Sequence, residues 1–290
     1  VFVAVVGRPN VGKSTMINAL IGDKIAIVSD KAQTTRNRII CVYTDEEKQI
    51  VFMDTPGVHK PKHKLGEFMV DAAIESLKET EAVLFVVAGN EKRGPGDNFI
   101  IEQLKRVKVP VFLVVNKIDT LQKEQVLEAI VSYQDAYPFA GVIPISAKNK
   151  ENLSELLNVL GEHLPEGPQY FPEDMITDQP ERLIISDIVR EKILLSTRDE
   201  IPHAIAVDVD EMKTRDDGTT YIRATIYCER DSQKGIIIGN KGALLRKIGA
   251  EARMDIQKLL ATKVYLDLWV KVKKDWRNKS GMLSELGYKK

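Results

Sequence analysis

Residues 7–14 read GRPNVGKS, and the reading of this stretch decides how the first half of the chain folds. An apolar run, VFVAVV, precedes it at 1–6, and a segment of helical spacing, KSTMINALI, follows at 13–21. The pattern G-x-x-x-x-G-K-[ST] cradles phosphate when a strand enters it and a helix leaves it. Both neighbours are present here; without them a glycine-containing strand–helix turn would be the plainer reading. The glycines let the backbone curl so that its N–H groups aim at phosphate oxygens, and the helix start adds partial positive charge. The candidate nucleotide-binding set is Gly7, Arg8, Pro9, Asn10, Val11, Gly12, Lys13, Ser14 and Thr15. Lys13 is expected to reach the β- and γ-phosphates, and Ser14 to offer its hydroxyl to Mg²⁺.

Residues 23–38 (DKIAIVSDKAQTTRNR) are polar and too long for a mere connection, which points to a functional loop. Apolar segments at 39–43 and 49–53 read as a β-hairpin, and the second runs into Asp54-Thr55-Pro56-Gly57. A carboxylate at the end of a buried strand can hold Mg²⁺ through water, while the Gly57 N–H faces the γ-phosphate. Alone, such a string is a common turn; forty-odd residues after a phosphate loop it carries more weight.

Helical and strand-like segments then alternate. Helical spacing marks 64–78, 96–106, 122–136 and 151–163, and continuous apolar runs mark strands at 82–88, 109–115 and 141–145. This alternation indicates an α/β domain with a mainly parallel sheet covered by helices on both faces. Ligands of such sheets collect at the carboxyl ends of strands. Two more strand ends carry polar sets, Asn116-Lys117-Ile118-Asp119 and Ser146-Ala147-Lys148. The Asp119 carboxylate accepts hydrogen bonds only, so it matches the N1–H and 2-amino group of guanine and not adenine. A buried carboxylate without partners costs several kcal/mol. The Lys117 stem can cover the purine, Asn116 can brace the phosphate loop, and the Ala147 N–H can meet guanine O6. A helix start capped by an aspartate is the plain alternative for Asn116–Asp119.

This ordered set resembles the GTPase superfamily, its five motifs spread over residues 1–165. The resemblance implies GTP hydrolysis with Mg²⁺ held by Ser14, Asp54 and a threonine of the 23–38 loop. Thr35 is preferred for that place because it directly precedes Arg36; Thr34 is the alternative. The implied catalytic group is Lys13, Thr35, Gly57 and Asn10. Where Ras-like enzymes carry a water-orienting glutamine after the second motif, this chain has Val58, which has no polar side-chain atom. That resembles the GTPases with a hydrophobic residue at this place, in several of which an asparagine like Asn10 helps hold a K⁺ ion. Slow intrinsic hydrolysis is the consequence, because the charge on the transferring phosphoryl group is incompletely stabilised. Asn10 reads equally as a loop residue tolerating unusual backbone angles. His59, Lys60, Lys62, His63 and Lys64 form a basic stretch read as a solvated loop or partner surface, and His63, His163 and His203 receive no role.

The 290 residues suffice for two domains. With 43% hydrophobic and 29% charged residues, disorder is not the default. A formal net charge of +0 excludes a uniformly basic nucleic-acid binder and permits a local basic face. Cys41 and Cys228 lie far apart with no ligand spacing, as suits a reducing cytosol. No apolar run approaches the ~20 residues of a membrane span, and no signal-peptide pattern opens the chain. A strand at the first residue suggests that a short leader precedes it.

Prolines at 165, 168, 172 and 180 mark residues 166–180 as a semi-rigid linker. Beyond it, in residues 181–290, come helical spacing at 182–197, strands at 204–212 and 219–228 joined across Arg215-Asp216-Asp217-Gly218, and a long helix at 243–261. A strand at 264–272 and a last helix at 275–286 complete the series. Between strand and long helix stands Gly235-Ile236-Ile237-Ile238-Gly239-Asn240-Lys241-Gly242. The order α-β-β-α-α-β with this loop resembles an α+β KH domain of type II. The resemblance implies that Gly239–Gly242 clamps about four nucleotides of single-stranded RNA, with Lys241 for charge and residues 236–238 lining a groove. Basic residues Lys271, Lys273, Lys274, Arg277, Lys279, Lys289 and Lys290, with Trp269, Trp276 and Tyr288 among them, offer an RNA-facing surface. A solvated edge with core tryptophans, or a contact with an acidic membrane, fits the same residues.

Such a GTPase domain joined to a type II KH domain resembles the bacterial ribosome-assembly GTPases over nearly the whole chain. The resemblance implies binding of GTP and GDP, of single-stranded rRNA at the 3′ end of 16S rRNA and of the 30S subunit. It also implies a monomer in the cytoplasm, with peripheral inner-membrane contact in some settings. Two other classes compete: an RNA-binding scaffold whose nucleotide is structural, and an ATPase or nucleoside kinase, against which Asp119 argues.

Overall fold

The computed structural model describes residues 1–26, 28–30, 34–59, 61–199 and 201–288. Lys60, Lys289 and Lys290 of the basic stretches, and residues 27 and 31–33 of the polar loop, lie outside the described residues. The chain divides into two units: one of Val1–Ala26, Thr35–Lys62 and Gly66–Asp178, and one of Ile27–Thr34, His63–Leu65 and Gln179–Lys290.

The first unit is built on a six-stranded sheet. In chain order its elements are β1 (Phe2–Val6), α1 (Lys13–Ile21), β2 (Ile39–Thr44), β3 (Gln49–Asp54), α2 (Lys64–Ser76), β4 (Ala82–Ala88) and α3 (Pro95–Leu104). β5 (Val111–Asn116), α4 (Lys123–Gln134), β6 (Gly141–Pro144) and α5 (Leu153–His163) follow. The strand order is β2-β3-β1-β4-β5-β6, parallel throughout except for the β2–β3 hairpin. Alternate residues of β1 serve opposite faces, as the two-residue period of a strand requires. Val3 and Val5 pack with Met16 and Ile17 of α1 and Leu156 and Leu160 of α5. Ala4 and Val6 pack with Ala73 and Leu77 on the α2 side, Ile100, Ile101 and Leu104 of α3, and Tyr133 of α4. β1 has β3 on one side and β4 on the other, so strand order reverses there and opens a crevice at its carboxyl end. The GRPNVGKS stretch begins at that end.

The proline-rich stretch is no free spacer. The Val42 N–H donates to Ile176 O at 2.8 Å, Thr177 Oγ1 donates to Ile40 O at 2.6 Å, and the Gln49 side chain bonds the backbone of Tyr170 and Phe171. These bonds cover the outer edge of β2, whose N–H and C=O groups would otherwise stand open.

The second unit contains α6 (Glu181–Ser196), α7 (Ile201–Ala204), β7 (Ala206–Thr214), β8 (Thr220–Cys228), α8 (Asp231–Ile238), α9 (Ala243–Leu260), β9 (Val264–Val272) and α10 (Ser280–Glu285). β7 and β8 are antiparallel, while β9 runs parallel to β8 and forms an edge. Ile188 and Ile193 of α6, Ile237 of α8, and Ile248 and Ile256 of α9 pack against Ile222, Ala224 and Ile226 on one sheet face. The last helix differs from the sequence expectation: a 3₁₀ turn, Trp276–Asn278, precedes the six-residue α10. Trp276 is wholly buried and its Nε1 donates to Ala204 O at 2.8 Å, which draws this segment inward and breaks the helix. Among the described residues no helix is long and apolar enough to cross a membrane.

Both tryptophans, Trp269 and Trp276, belong to the second unit, so tryptophan fluorescence reports its unfolding. Ile226→Ala, which empties the centre of its core, should lower the stability read by urea denaturation at tryptophan wavelengths by about 2–5 kcal/mol. An unshifted midpoint would place Ile226 outside the core.

Candidate nucleotide and nucleic-acid sites

At the carboxyl end of β1 the chain turns through residues 7–12 before α1 begins. Gly12 has φ +99°, in the left-handed region, and a Cβ there would fall 2.2 Å from Asn116 Nδ2. Only glycine fits both the backbone and the space. Asn116 Nδ2 donates to Val11 O at 2.9 Å, and Asn116 Oδ1 accepts the Ala147 N–H at 3.0 Å. One buried amide thus ties the phosphate loop to the loop after β6. The Ala147 N–H expected to face guanine O6 is engaged by Asn116 in this structure. Asn10 lies at φ +66°, a position that asparagine tolerates well, so its backbone alone accounts for the residue type.

Lys13 is nearly buried, and its Nζ donates to the carbonyls of Gly7 at 3.2 Å and Arg8 at 3.0 Å. Burial lowers its pKa to about 8, opposed by the nearby charge of Asp54. Arg8 does not point at the phosphate position. Its guanidinium pairs with Asp97 at 2.9 Å, a fully buried carboxylate at the start of α3, and with Glu91 at 2.8 Å. Only its backbone belongs to the loop.

Three oxygens converge beside the start of α1. Ser14 Oγ donates to Asp54 Oδ2 at 2.7 Å and meets Thr35 Oγ1 at 2.9 Å. Asp54 is completely buried, which pushes its pKa up to about 6 against the pull of Ser14 and Lys13. Its second oxygen, Oδ1, is buried with no hydrogen-bond partner. Two hydroxyls and a carboxylate with an orphaned oxygen form the hard, all-oxygen donor set that Mg²⁺ takes, the remaining ligands being water and phosphate. Thr35 is the threonine brought to this cluster. The carbonyl of Thr34 accepts instead from the Arg190 guanidinium of α6, and Glu191 Oε1 accepts the Val28 N–H at 2.9 Å, all within the second unit.

The Val58 N–H donates to Gly7 O at 3.1 Å, and its side chain is buried among Val6, Met53 and Ile100. Gly57 is thereby held against the phosphate loop, and the Val58 side chain is buried. At the far side, Ser146 Oγ donates to Asp119 Oδ1 at 2.8 Å and fixes that carboxylate. Asp119 is exposed, unlike the buried carboxylate expected from the sequence. The cost of a mismatched base arises only as the base itself covers the carboxylate. Lys117 has φ +67° and lies 3.9 Å from Glu91, while Lys148 is exposed and Thr15 half-buried on α1.

In the second unit, Gly239 (φ +74°) ends α8, and Asn240–Gly242 makes a 3₁₀ turn into α9. A Cβ on Gly239 would fall 2.8 Å from Leu244 Cβ, so this position also requires glycine. A groove of about 450 Å³ opens beside the turn. Lys241, Gly242, Arg246, Gly249 and Arg253 line one side, and Tyr265, Leu266 and Leu268 of β9 the other, with Leu245 between. The sequence pattern predicts Ile236, Ile237 and Ile238 there. Ile237 is instead fully buried in the core, because α8 extends through 238 and its spacing turns that side chain inward. Ile236 is exposed and Ile238 packs against the core; neither lines the groove, nor does Gly235. Lys271 and Lys273 do not line it either; Lys273 lies 3.5 Å from Glu285 and 4.6 Å from the centre of the Tyr227 ring. Residues 242, 245, 246, 249, 250 and 253 follow helical spacing, so the missed face of α9 could have been found from the small and basic residues recurring along it. Gly12→Ala should weaken binding of a fluorescent GDP analogue by more than about tenfold in a titration. Unchanged affinity would mean that residues 7–14 do not hold phosphate.

Comparison with known proteins finds matches for both halves of the chain. Residues 2–117 match the family described as 50S ribosome-binding GTPase, and residues 200–277 match the KH domain family. A crystal structure of Era in complex with MgGDPNP and nucleotides 1506–1542 of 16S ribosomal RNA is similar at 43% identity, covering 99% of this chain and 98% of that one, with a TM-score of 0.96. A variant of Aquifex aeolicus Era bound to GDP·AlF4⁻ is similar at 43% identity and the same coverage, with a TM-score of 0.95. Identity of this order, sustained from end to end across a GTPase domain and a KH domain, makes the chain a member of the Era family.

Proposed function

We propose that this chain is a GTP-hydrolysing switch that binds single-stranded RNA near the 3′ end of 16S rRNA and acts in assembly of the 30S subunit. The observation that carries this reading is the convergence of Ser14, Thr35 and Asp54 on one point beside the phosphate loop. Lys13 and the backbone N–H groups of residues 10–14 hold the β- and γ-phosphates, and the anionic phosphates restore the charge on Lys13 that burial weakens. Ser14, Thr35 and Asp54 hold Mg²⁺, which when bound neutralises charge on the phosphate oxygens. Asn116, Lys117, Asp119, Ser146, Ala147 and Lys148 enclose guanine. Asp119 is fixed by Ser146 so that both its oxygens can face the two donors of the base.

Hydrolysis is slow by this geometry. Val58 is buried and apolar, so it neither orients water nor supplies charge. Asn10, exposed at the mouth of the loop, supports a K⁺ ion as the missing positive charge. The groove beside Asn240–Gly242 takes the RNA, its cations facing phosphates and its leucines facing unstacked bases. Family membership supports placing this activity on the 30S subunit in the cytoplasm, as a monomer with a peripheral inner-membrane contact. The working boundaries are residues 1–165 for the GTPase domain, 166–180 for the linker and 181–290 for the KH domain.

Phosphate release measured with and without 16S 3′-end RNA, in K⁺ and in Na⁺, tests the reading. Turnover that rises with RNA, and is faster in K⁺, is expected; bound GTP with no release under any condition would make the nucleotide structural and the chain an RNA-binding scaffold. Asp119→Asn should exchange guanine for xanthine preference in nucleotide competition, because an amide can donate to the 2-oxo group. Retained preference for GTP would remove Asp119 from base recognition.

A further inference from the structure

Helices α6, α8 and α9 bury one face of the KH-type sheet, and the opposite face carries a cross-strand set of aromatic and charged residues, buried at Thr225 and Tyr227 and exposed toward Tyr265 and Trp269. Lys213, Tyr221 and Tyr265 stand in one row across β7, β8 and β9, followed by Glu211, Arg223 and Asp267, and then by Thr225 and Trp269. Tyr265 is 54% and Trp269 53% exposed. The Tyr221 and Tyr265 rings lie 5.9 Å apart and within 14° of parallel. The Arg215 guanidinium sits 4.9 Å and 5.0 Å from their two centres, and Lys213 Nζ lies 5.4 Å from that of Tyr221. The face also carries acids: Asp208 stands opposite Thr225, and Asp210 Oδ2 accepts from Thr225 Oγ1 at 2.6 Å, while the two acids beside the rings are engaged. Asp267 Oδ2 accepts from Tyr221 Oη at 3.1 Å and from Trp269 Nε1 at 3.0 Å, while Glu211 pairs with Lys213 at 2.8 Å. Ring faces with cations above them, beside acids already hydrogen-bonded, suit unstacked bases and their phosphates.

Tyr265 also lines the groove beside Asn240–Gly242. β9 is the edge strand, so a chain leaving the groove past Tyr265 meets Tyr221 and Arg215 next. We propose that the outer face of this sheet, centred on Tyr221, Tyr265 and Arg215, is a second single-stranded RNA surface that takes the nucleotides continuing out of the groove. This rests on the groove being the RNA site. The face adds affinity by stacking and by phosphate contact, and it reads no particular base, because every base presents a π-face.

The test uses the full chain with Mg²⁺ and a GTP analogue, and fluorescence anisotropy with two labelled RNAs from the 16S 3′ end. One RNA is of groove length, and the other is extended at either end to about twelve nucleotides. Extension at one end should tighten binding to the unaltered chain by about tenfold. In Arg215→Glu and Tyr221→Ala that gain should fall below about twofold, with the short RNA bound as before, and Tyr221→Phe should retain it. If only Arg215→Glu weakens the long RNA, the effect is general charge repulsion and the proposal is overturned. It is overturned equally if both variants bind the long RNA as the unaltered chain does, which would leave the face to another partner. Arg253→Glu, inside the groove, should weaken both RNAs; if it weakens neither, the groove reading itself fails, independently of the outer face.

Discussion

The hydrogen bond from Ser14 to Asp54 is the constraint around which the nucleotide site is arranged. A fully buried carboxylate with one oxygen satisfied and the other orphaned is costly as it stands. Its elevated pKa expresses that cost. The arrangement makes sense when a cation completes it, since added positive charge reverses the penalty and favours the ionised form. Three separate pieces of chain meet there: the start of α1 through Ser14, the end of β3 through Asp54, and the polar loop through Thr35. A ligand joining phosphate to this cluster therefore sets the position of the polar loop as well as being held by it.

Thr35 belongs to the first unit, while its neighbour Thr34 belongs to the second, where its carbonyl meets Arg190. Glu191, next along α6, holds Val28 by its N–H. Thr35, whose hydroxyl meets Ser14, is thus covalently joined to a residue that belongs to the KH-type unit. A two-state element whose equilibrium both sites bias is the physical requirement for coupling.

Much of this was legible in the sequence wherever local chemistry dictates geometry. The glycines at 7 and 12, the strand-end Asp54 and Asn116, and the alternation of buried strands with helices led directly to the sheet and its crevice. Thr35 is preferred over Thr34 from the arginine that follows it, and the structure brings Thr35, not Thr34, to Ser14. Ile237 was misread. An apolar triplet beside a glycine loop looks like a groove wall, and only the extent of α8 shows that its middle member faces the core. The groove wall of α9 and the outer aromatic face depend on which side of a helix or strand the rest of the unit covers. Tyr221 and Tyr265 are 44 residues apart and become neighbours only through the β8–β9 register. Proline density marked residues 166–180 as a connector, but gave no sign of their hydrogen bonds to β2.

The most direct measurement is the affinity of the full chain for single-stranded 16S 3′-end RNA, compared between GDP and a GTP analogue, both with Mg²⁺. A switch requires that the two nucleotides differ in the RNA affinity they permit, and coupling of ordinary strength corresponds to a change of about fivefold or more. The expected result is a difference of that size, abolished by Thr35→Ala, which removes the hydroxyl joining the polar loop to Ser14. Equal RNA affinity in both states would contradict the account, because a ligand without differential affinity shifts no equilibrium.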